Sequence, residues 1–320
     1  MNRAGFATLA GMTTPLPIVA VVGPTATGKS DLGVALAHAL GGEVVNADAS
    51  QLYRGMDIGT AKLTVPEREG VPHHLLDVLD VRDEATVAAY QRDARAAITA
   101  IRERGNVPIF VGGSGLYVRA ALDDLRIPPT DPAVRARWEE RLAEVGPGVL
   151  HRQLAAADPA AAQQIHPTNG RRVVRALEVI ELTGEPFSAT MPTREFVAPT
   201  VLLGLRIARP TLHARITTRI DRMWRAGLLD EVRELDRHGL REGRTASRAI
   251  GYAQALQQLD GILSAQQAKD ETATLTRKFA RRQESWFRPD TRIHWLAHDT
   301  PDLLAQSLVL VRTANAPSRP

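Results

Sequence analysis

Apolar positions in the first third of the chain fall into short runs separated by stretches of helical period. Val19-Ala-Val-Val22 is one run, and Glu43-Val-Val-Asn-Ala-Asp48 is a second that ends in a carboxylate. His74-Leu-Leu-Asp-Val78 suggests a third short strand, and Val107-Pro-Ile-Phe-Val111 a further one. Between them, the residues from Lys29 toward Leu40 carry a helical pattern that Gly41-Gly42 breaks. Thr86–Arg104 is helical up to Gly105, and another helix starts near Leu116. The segment from Ser50 to Lys62 is polar and interrupted by glycine, which predicts a loop rather than a core element. Strands alternating with helices predict an α/β fold with a parallel sheet covered by helices on both faces.

The pattern changes at Ile127-Pro-Pro-Thr-Asp-Pro132. Ala133–Thr183 gives only helical signals, and Gly184-Glu-Pro186 opens a polar linker to about Ala198. Val201–Ile207 restores the strand signal and is expected to rejoin the sheet. Long basic helices follow, then a short strand near Arg292–Trp295 and a terminal helix. The expected organisation is a core in two parts, 1–127 and 198–320, with an all-helical insertion over 128–197. Ala314–Pro320 reads as disordered.

Candidate chemistry sits at the first strand–helix junction. Gly23-Pro-Thr-Ala-Thr-Gly28-Lys29-Ser30 fits the phosphate-loop pattern, so the core is expected to be P-loop NTPase-like. Glycines let backbone N–H groups curl around a phosphate, and the following helix points its positive end at the same anion. Gly23, Pro24, Thr25, Ala26, Thr27 and Gly28 form the cradle, Lys29 reaches the terminal phosphate, and Ser30 is placed to hold Mg²⁺. In an open α/β sheet, ligands bind beyond the carboxyl ends of the strands. Asp48 after the second strand and the Gly112–Gly115 turn converge on that edge. Asp48 is the natural general base; capping a helix or standing behind a Mg²⁺ ion are its alternative roles. Val107–Val111 ends in Gly-Gly-Ser, not in the acidic pair of a hydrolysing ATPase, and Asp77 is a weak substitute.

Charge adds a partner. The net charge is +4, yet Val201–Arg292 holds 18 Lys and Arg against 11 Asp and Glu. Only Lys29, Lys62, Lys269 and Lys278 are lysines among 40 basic residues. Base composition of the gene also inflates Arg, so the regional clustering is the better sign of a nucleic-acid partner. The chain has no cysteine, which excludes disulfides and thiolate metal sites. No stretch reaches the length of a membrane span and the amino terminus lacks a signal-peptide pattern, so a cytoplasmic protein is expected. His73-His74 and His294/His298 lack a third ligand at suitable spacing for a metal.

Several blocks together carry a family resemblance. Gly23–Ser30, Asn46-Ala-Asp48, Gln51-Leu-Tyr-Arg-Gly-Met-Asp-Ile-Gly-Thr-Ala-Lys62 and Gly112-Gly-Ser-Gly-Leu-Tyr117 resemble tRNA dimethylallyltransferases. So do His166–Val179, Ser247-Arg-Ala-Ile-Gly-Tyr252 and Arg281-Arg-Gln-Glu-Ser-Trp-Phe287. The resemblance runs in order from about Val19 to Trp295, with one departure at Ala49, where the family usually has Ser.

The resemblance implies transfer of a dimethylallyl group from dimethylallyl diphosphate to the exocyclic N6 of the adenine 3′-adjacent to the anticodon in tRNA. On this view the phosphate loop holds a leaving group rather than ATP. Lys29 and Mg²⁺ on Ser30 stabilise the departing charge, and Asp48 takes the amine proton. The resemblance also places Arg233 near the diphosphate, although its residue pattern equally fits a solvated helix face. It implies tRNA contacts at Asp48, Ala49, Ser50, Gln51, Ser114, Arg135, Arg171, Arg172, Arg175, Arg248, Arg281 and Arg282. By residue type alone, Ser114 could be structural and Arg135 one more exposed charge. The insertion would grip the anticodon stem-loop, and a monomer is expected. Trp286 could stack on a base or belong to the core. Three other readings stay open: an adenylate isopentenyltransferase, a phosphate-loop kinase of a small metabolite, and a catalytically silent RNA-binding protein.

Overall fold

The structure is a computed structural model that describes residues 16–190 and 194–314. The expectations for the first 15 residues and for 315–320 lie outside the described residues. The chain divides into two compact units, one of Met1–Leu122 with Ala198–Pro320 and one of Asp123–Val197. The helical stretch expected over 128–197 thus falls within a unit that begins five residues earlier.

In the first part of the larger unit, β1 (Ile18–Val22) leads into α1 (Lys29–Leu40), β2 (Gly42–Asn46) and β3 (His73–His74). Then follow α2 (Val87–Glu103), β4 (Val107–Gly112) and α3 (Gly115–Leu122). The smaller unit holds α4 (Pro132–Ala157), α5 (Pro159–Gln164) and α6 (Gly170–Thr183). The larger unit resumes with β5 (Thr200–Arg206), α7 (Arg209–Arg225), α8 (Leu228–Arg237), α9 (Tyr252–Leu259) and α10 (Ala265–Phe287). It ends with β6 (Ile293–Ala297) and α11 (Leu303–Ala314). Among the described residues no helix is long and apolar enough to cross a membrane.

The strands form one parallel sheet in the order β3-β2-β4-β1-β5-β6. Every residue of β1 is fully buried, as a central parallel strand with both faces covered requires. Val19 and Val21, with Ile109, Val111, Leu203 and Leu205, pack against Leu32 and Leu36 of α1 and Val311 of α11. On the other face the Tyr90 hydroxyl of α2 donates to the Asn46 carbonyl at 2.8 Å, and its ring stacks on Tyr117 of α3. Because all strands run one way, the loops after β1, β2 and β4 emerge along one edge.

Two local expectations change. The third strand is only two residues long, because Leu75 and Asp77 turn into positive φ (59° and 57°) immediately after it. The 50–62 segment is a loop, but a core-anchored one. Leu52, Tyr53 and Met56 are buried, and the latter two pack with Val232, Leu235, Leu240 and Tyr252. Isolated apolar residues with no period hide such an anchor from pattern reading, since its partners come from helices far along the chain.

The smaller unit has its own core of Leu150, Leu154, Val173, Val174 and Leu177. Helix α4 bends at Gly146 (φ 75°), just before Pro147. Within this unit, fully buried Glu178 accepts from Thr130 Oγ1 at 2.6 Å, the Asp131 N–H, Arg135 and Arg175. Burial alone would raise its pKa; these hydrogen bonds outweigh it and hold the carboxyl at about 2.

Candidate active site

The phosphate loop owes its shape to two glycines. Gly23 (φ 134°) leaves β1 so close to the neighbouring strand that a Cβ there would lie 2.6 Å from the Leu205 carbonyl oxygen. Gly28 (φ 88°) precedes α1, whose first turn no side chain caps. The amides at the start of α1 are therefore free for an anion. The loop braces itself: Thr27 Oγ1 donates to the Pro24 carbonyl at 2.9 Å, and Lys29 Nζ donates to the same oxygen at 2.6 Å. Residues Thr25–Asp31 line a cavity of about 830 Å³, which Asn46, Asp48, Gln51 and the Asp57–Thr64 loop also line.

Asp48 reaches this cavity through an Asn46 bracket. Asn46 Oδ1 accepts the Asp48 N–H at 2.9 Å, while its Nδ2 donates to the carbonyls of Asp48 and Leu75. Asp48 Oδ1 accepts the Ser50 N–H at 3.0 Å and caps the 3-10 turn Ala49–Leu52. The capping and cavity-lining roles therefore coexist in one carboxylate. Burial raises its pKa, against the opposing pull of the Ser50 amide, Lys29 and Arg219. Burial also lowers Lys29 to about 8, with Asp48 opposing and Arg219 adding to the fall. The two groups thus titrate closer together than free Asp and Lys do.

The arginine at the phosphate loop is Arg219, which sequence reasoning missed. Its Nη1 donates to Thr25 Oγ1 at 3.1 Å. Arg215, Arg219 and Arg222 recur at i, i+4 and i+7 on α7, and all three line the cavity. That spacing was visible, but α7 carries other arginines and the sequence alone did not say which face was inward. Arg233 is not brought to the cavity. It stands half-exposed on α8 and pairs with Asp230 at 2.5 Å.

The other candidates divide between the site and its surroundings. Ser30 lines the cavity. Ser114 lies against the Asp48 turn, its Oγ accepting the Ala49 N–H at 3.3 Å. Gln51 lines the cavity and donates to the Thr60 carbonyl at 3.2 Å. Arg171, Arg172, Arg248, Arg281 and Arg282 are exposed. Arg135 and Arg175 are tied to Glu178, and Arg175 also donates to the carbonyls of Pro128 and Pro129. Asp77 is no acidic partner for the phosphate loop: it pairs with buried Lys62 Nζ at 2.5 Å, which also holds Asp57 at 2.6 Å. His73 Nδ1 lies 2.8 Å from the Val71 carbonyl, and His74 Nε2 lies 2.6 Å from Glu43.

The family model for IPP transferase matches residues 51–290 of this chain. The chain belongs to the IPP transferase family. Among relatives, it is 62% identical over 311 residues to the tRNA dimethylallyltransferase of Kineococcus radiotolerans, covering 94% of this chain and 98% of that protein. It is 61% identical over 299 residues to that of Thermobifida fusca, covering 92% and 94%. The crystal structure of the tRNA isopentenylpyrophosphate transferase from Bacillus halodurans matches at TM-score 0.67 and 40% identity, over 93% of this chain and 95% of that one. A eukaryotic dimethylallyltransferase solved acting on tRNA matches at TM-score 0.79 and 28% identity, over 94% and 80%. The IPP transferase match begins at Gln51, after the phosphate loop, so it rests on residues other than the commonest motif in the chain.

Proposed function

We propose that this protein transfers the dimethylallyl group of dimethylallyl diphosphate to N6 of the adenosine 3′-adjacent to the anticodon in tRNA, releasing diphosphate. The observation that carries the reading is that Asp48 opens on the same cavity as the phosphate loop and Lys29. An anion cradle and a base facing one space suit displacement of a phosphate leaving group by a weak nucleophile. With the reading go the monomeric state and cytoplasmic location expected from the sequence.

The chemistry follows from the side chains. The C1–O bond of the allylic diphosphate breaks and its electron pair leaves on oxygen. The loop amides, Lys29 and the Arg215–Arg219–Arg222 face are preorganised for that developing charge. As N6 forms its bond to C1, the amine gives up a proton, which Asp48 accepts; such general-base help is typically worth ~10²–10⁴ in rate. Burial raises the basicity of Asp48 and so suits it to the task. The cavity lining includes the apolar side chains of Ile58, Leu63 and Met223, which suit a hydrocarbon group.

Mg²⁺ fits the donor set. Ser30 offers one hydroxyl and Asp31 one carboxylate to the cavity lining, and Mg²⁺ commonly takes few protein ligands and completes its shell with phosphate oxygens and water. When bound there it would neutralise diphosphate charge. The adenine must leave its loop stack to reach Asp48. Exposed Arg171 and Arg172 at the start of α6 and Arg281 and Arg282 on α10 suit phosphate contacts.

Incubation with dimethylallyl diphosphate, Mg²⁺ and unmodified tRNA, followed by mass spectrometry of the nucleosides, tests the reading. Prenylated adenosine on tRNA but not on AMP is expected. Product on AMP would favour adenylate prenylation, and phosphate transfer from ATP would favour a kinase.

A further inference from the structure

Lys62 is one of only four lysines among 40 basic residues, and its side chain is 2% exposed. Its Nζ donates to three oxygens from three stretches of chain: the Tyr53 carbonyl at 3.0 Å, Asp57 Oδ1 at 2.6 Å and Asp77 Oδ1 at 2.5 Å. An ammonium carries three donors at one compact point, so this set of acceptors takes up all of them. A guanidinium is planar and forked and does not suit such a convergence. That is a physical reason for Lys at this position in a chain that otherwise uses Arg.

Each of the three stretches bears on Asp48. Tyr53 directly follows the 3-10 turn Ala49–Leu52, which Asp48 caps. Asp57 opens the loop that lines the cavity. Asp77 belongs to the turn after β3. There the Leu75 carbonyl accepts Asn46 Nδ2 at 2.9 Å, and the Val78 N–H donates to the Leu52 carbonyl at 2.8 Å. Leu75 and Asp77 both hold positive φ (59° and 57°), a conformation that a side chain disfavours and that persists only where the surroundings impose it.

We propose that Lys62 is a positioning residue for the reaction: by joining the Tyr53, Asp57 and Asp77 segments at one buried point, it holds the Asp48 turn where the carboxylate receives the adenine N6 proton. The inference rests on the proposed prenyl transfer and adds to it a residue whose own donors are all taken up by the protein. Without the ammonium, Asp57 and Asp77 face each other with no cation between them, and breaking a buried ion pair from one side leaves uncompensated charge. The two carboxylates then move apart. The 75–78 turn loosens its hold on Asn46, and through Asn46 on the Asp48 N–H.

The test is a set of single-turnover measurements on the full-length protein with saturating dimethylallyl diphosphate, Mg²⁺ and an unmodified anticodon stem-loop RNA, read as prenylated adenosine. Lys62→Met is expected to slow this step by about 10- to 100-fold, the scale of a misplaced catalytic group. Lys62→Arg should restore little of the rate. Asp77→Ala should slow the step by about 3- to 10-fold, and Asp77→Asn, which keeps an acceptor oxygen, should recover most of that loss. In an Asp48→Asn background, Lys62→Met should cost less than about 2-fold more, because positioning is lost with the group that is positioned. A wild-type rate in Lys62→Met, or losses that multiply in the double variant, refutes the proposal. Melting temperatures identify any variant that fails to fold; if Lys62→Met is one, the Asp77→Ala and Asp77→Asn pair, measured with and without Asp48→Asn, decides. A wild type that forms no prenylated adenosine overturns the proposed function, and this inference with it.

Discussion

The Tyr252 hydroxyl donates to Glu231 Oε1 at 2.6 Å, and the same carboxylate accepts the backbone N–H groups of Asp57, Ile58 and Gly59. The Tyr252 ring lies so near Gly59 that a Cβ there would meet it at 2.4 Å. One helix-borne carboxylate and one buried phenol therefore fix a loop that lines the same cavity as the phosphate loop.

Glu231→Ala should leave three amides and a buried hydroxyl without their acceptor. A stability loss of about 1–3 kcal/mol is expected by chemical denaturation, with a higher KM for the allylic diphosphate. Gly59→Ala should produce the same phenotype by pushing Tyr252 aside. Unchanged KM in both variants would show that the wall holds without this contact.

Asp48→Asn should lower kcat by about 10²–10⁴ while RNA affinity stays near wild type. Equal losses in rate and in binding would mark Asp48 as a scaffold for its turn.

The pH dependence of kcat/KM follows from the same pair. Asp48 must be ionised to accept a proton and its pKa is raised, so activity should fall on the acid side at a pH above the ordinary carboxylate range. Lys29 must be charged to hold diphosphate and titrates at about 8 in the free protein, so activity should fall again as pH rises past that value. Lys29→Met should abolish the alkaline limb; a limb that survives belongs to another group.

Arg219 and Arg233 give opposite expectations. Arg219→Ala should raise KM for the allylic diphosphate or lower kcat by at least about tenfold, the scale of a lost charged contact. Arg233→Ala should change neither, because Arg233 faces solvent beside Asp230. The reverse result in steady-state kinetics would return Arg233 to the site.

In the helical unit, arginines split by partner. Arg171→Ala should lower the slope of log affinity against log salt by about one. Arg175→Ala should destabilise the protein by about 1–3 kcal/mol, less than a fully buried pair would lose because its side chain is 22% exposed. Glu178 is depressed to about 2, so its contribution is complete above the ordinary carboxylate pKa and is lost as pH falls from there toward 2. Thermal melts between pH 5 and pH 2 should show that loss in wild type and not in a Glu178→Gln variant.

The sequence by itself determined the alternation of strand and helix, the phosphate loop, the carboxylate after β2 and the helical run beginning near Pro132. These are local: period, glycine placement and motif spacing act within a few residues. Only the tertiary structure decided which arginine meets the phosphate loop, because Arg219 and Arg233 lie on helices of similar composition and only packing turns one inward. It also decided that Arg135 and Arg175 answer to Glu178, that the polar 50–62 loop is anchored by Tyr53 and Met56, and that Trp286 rests on Gly115. Each depends on groups far apart in the chain meeting in space, and no local pattern encodes such a meeting.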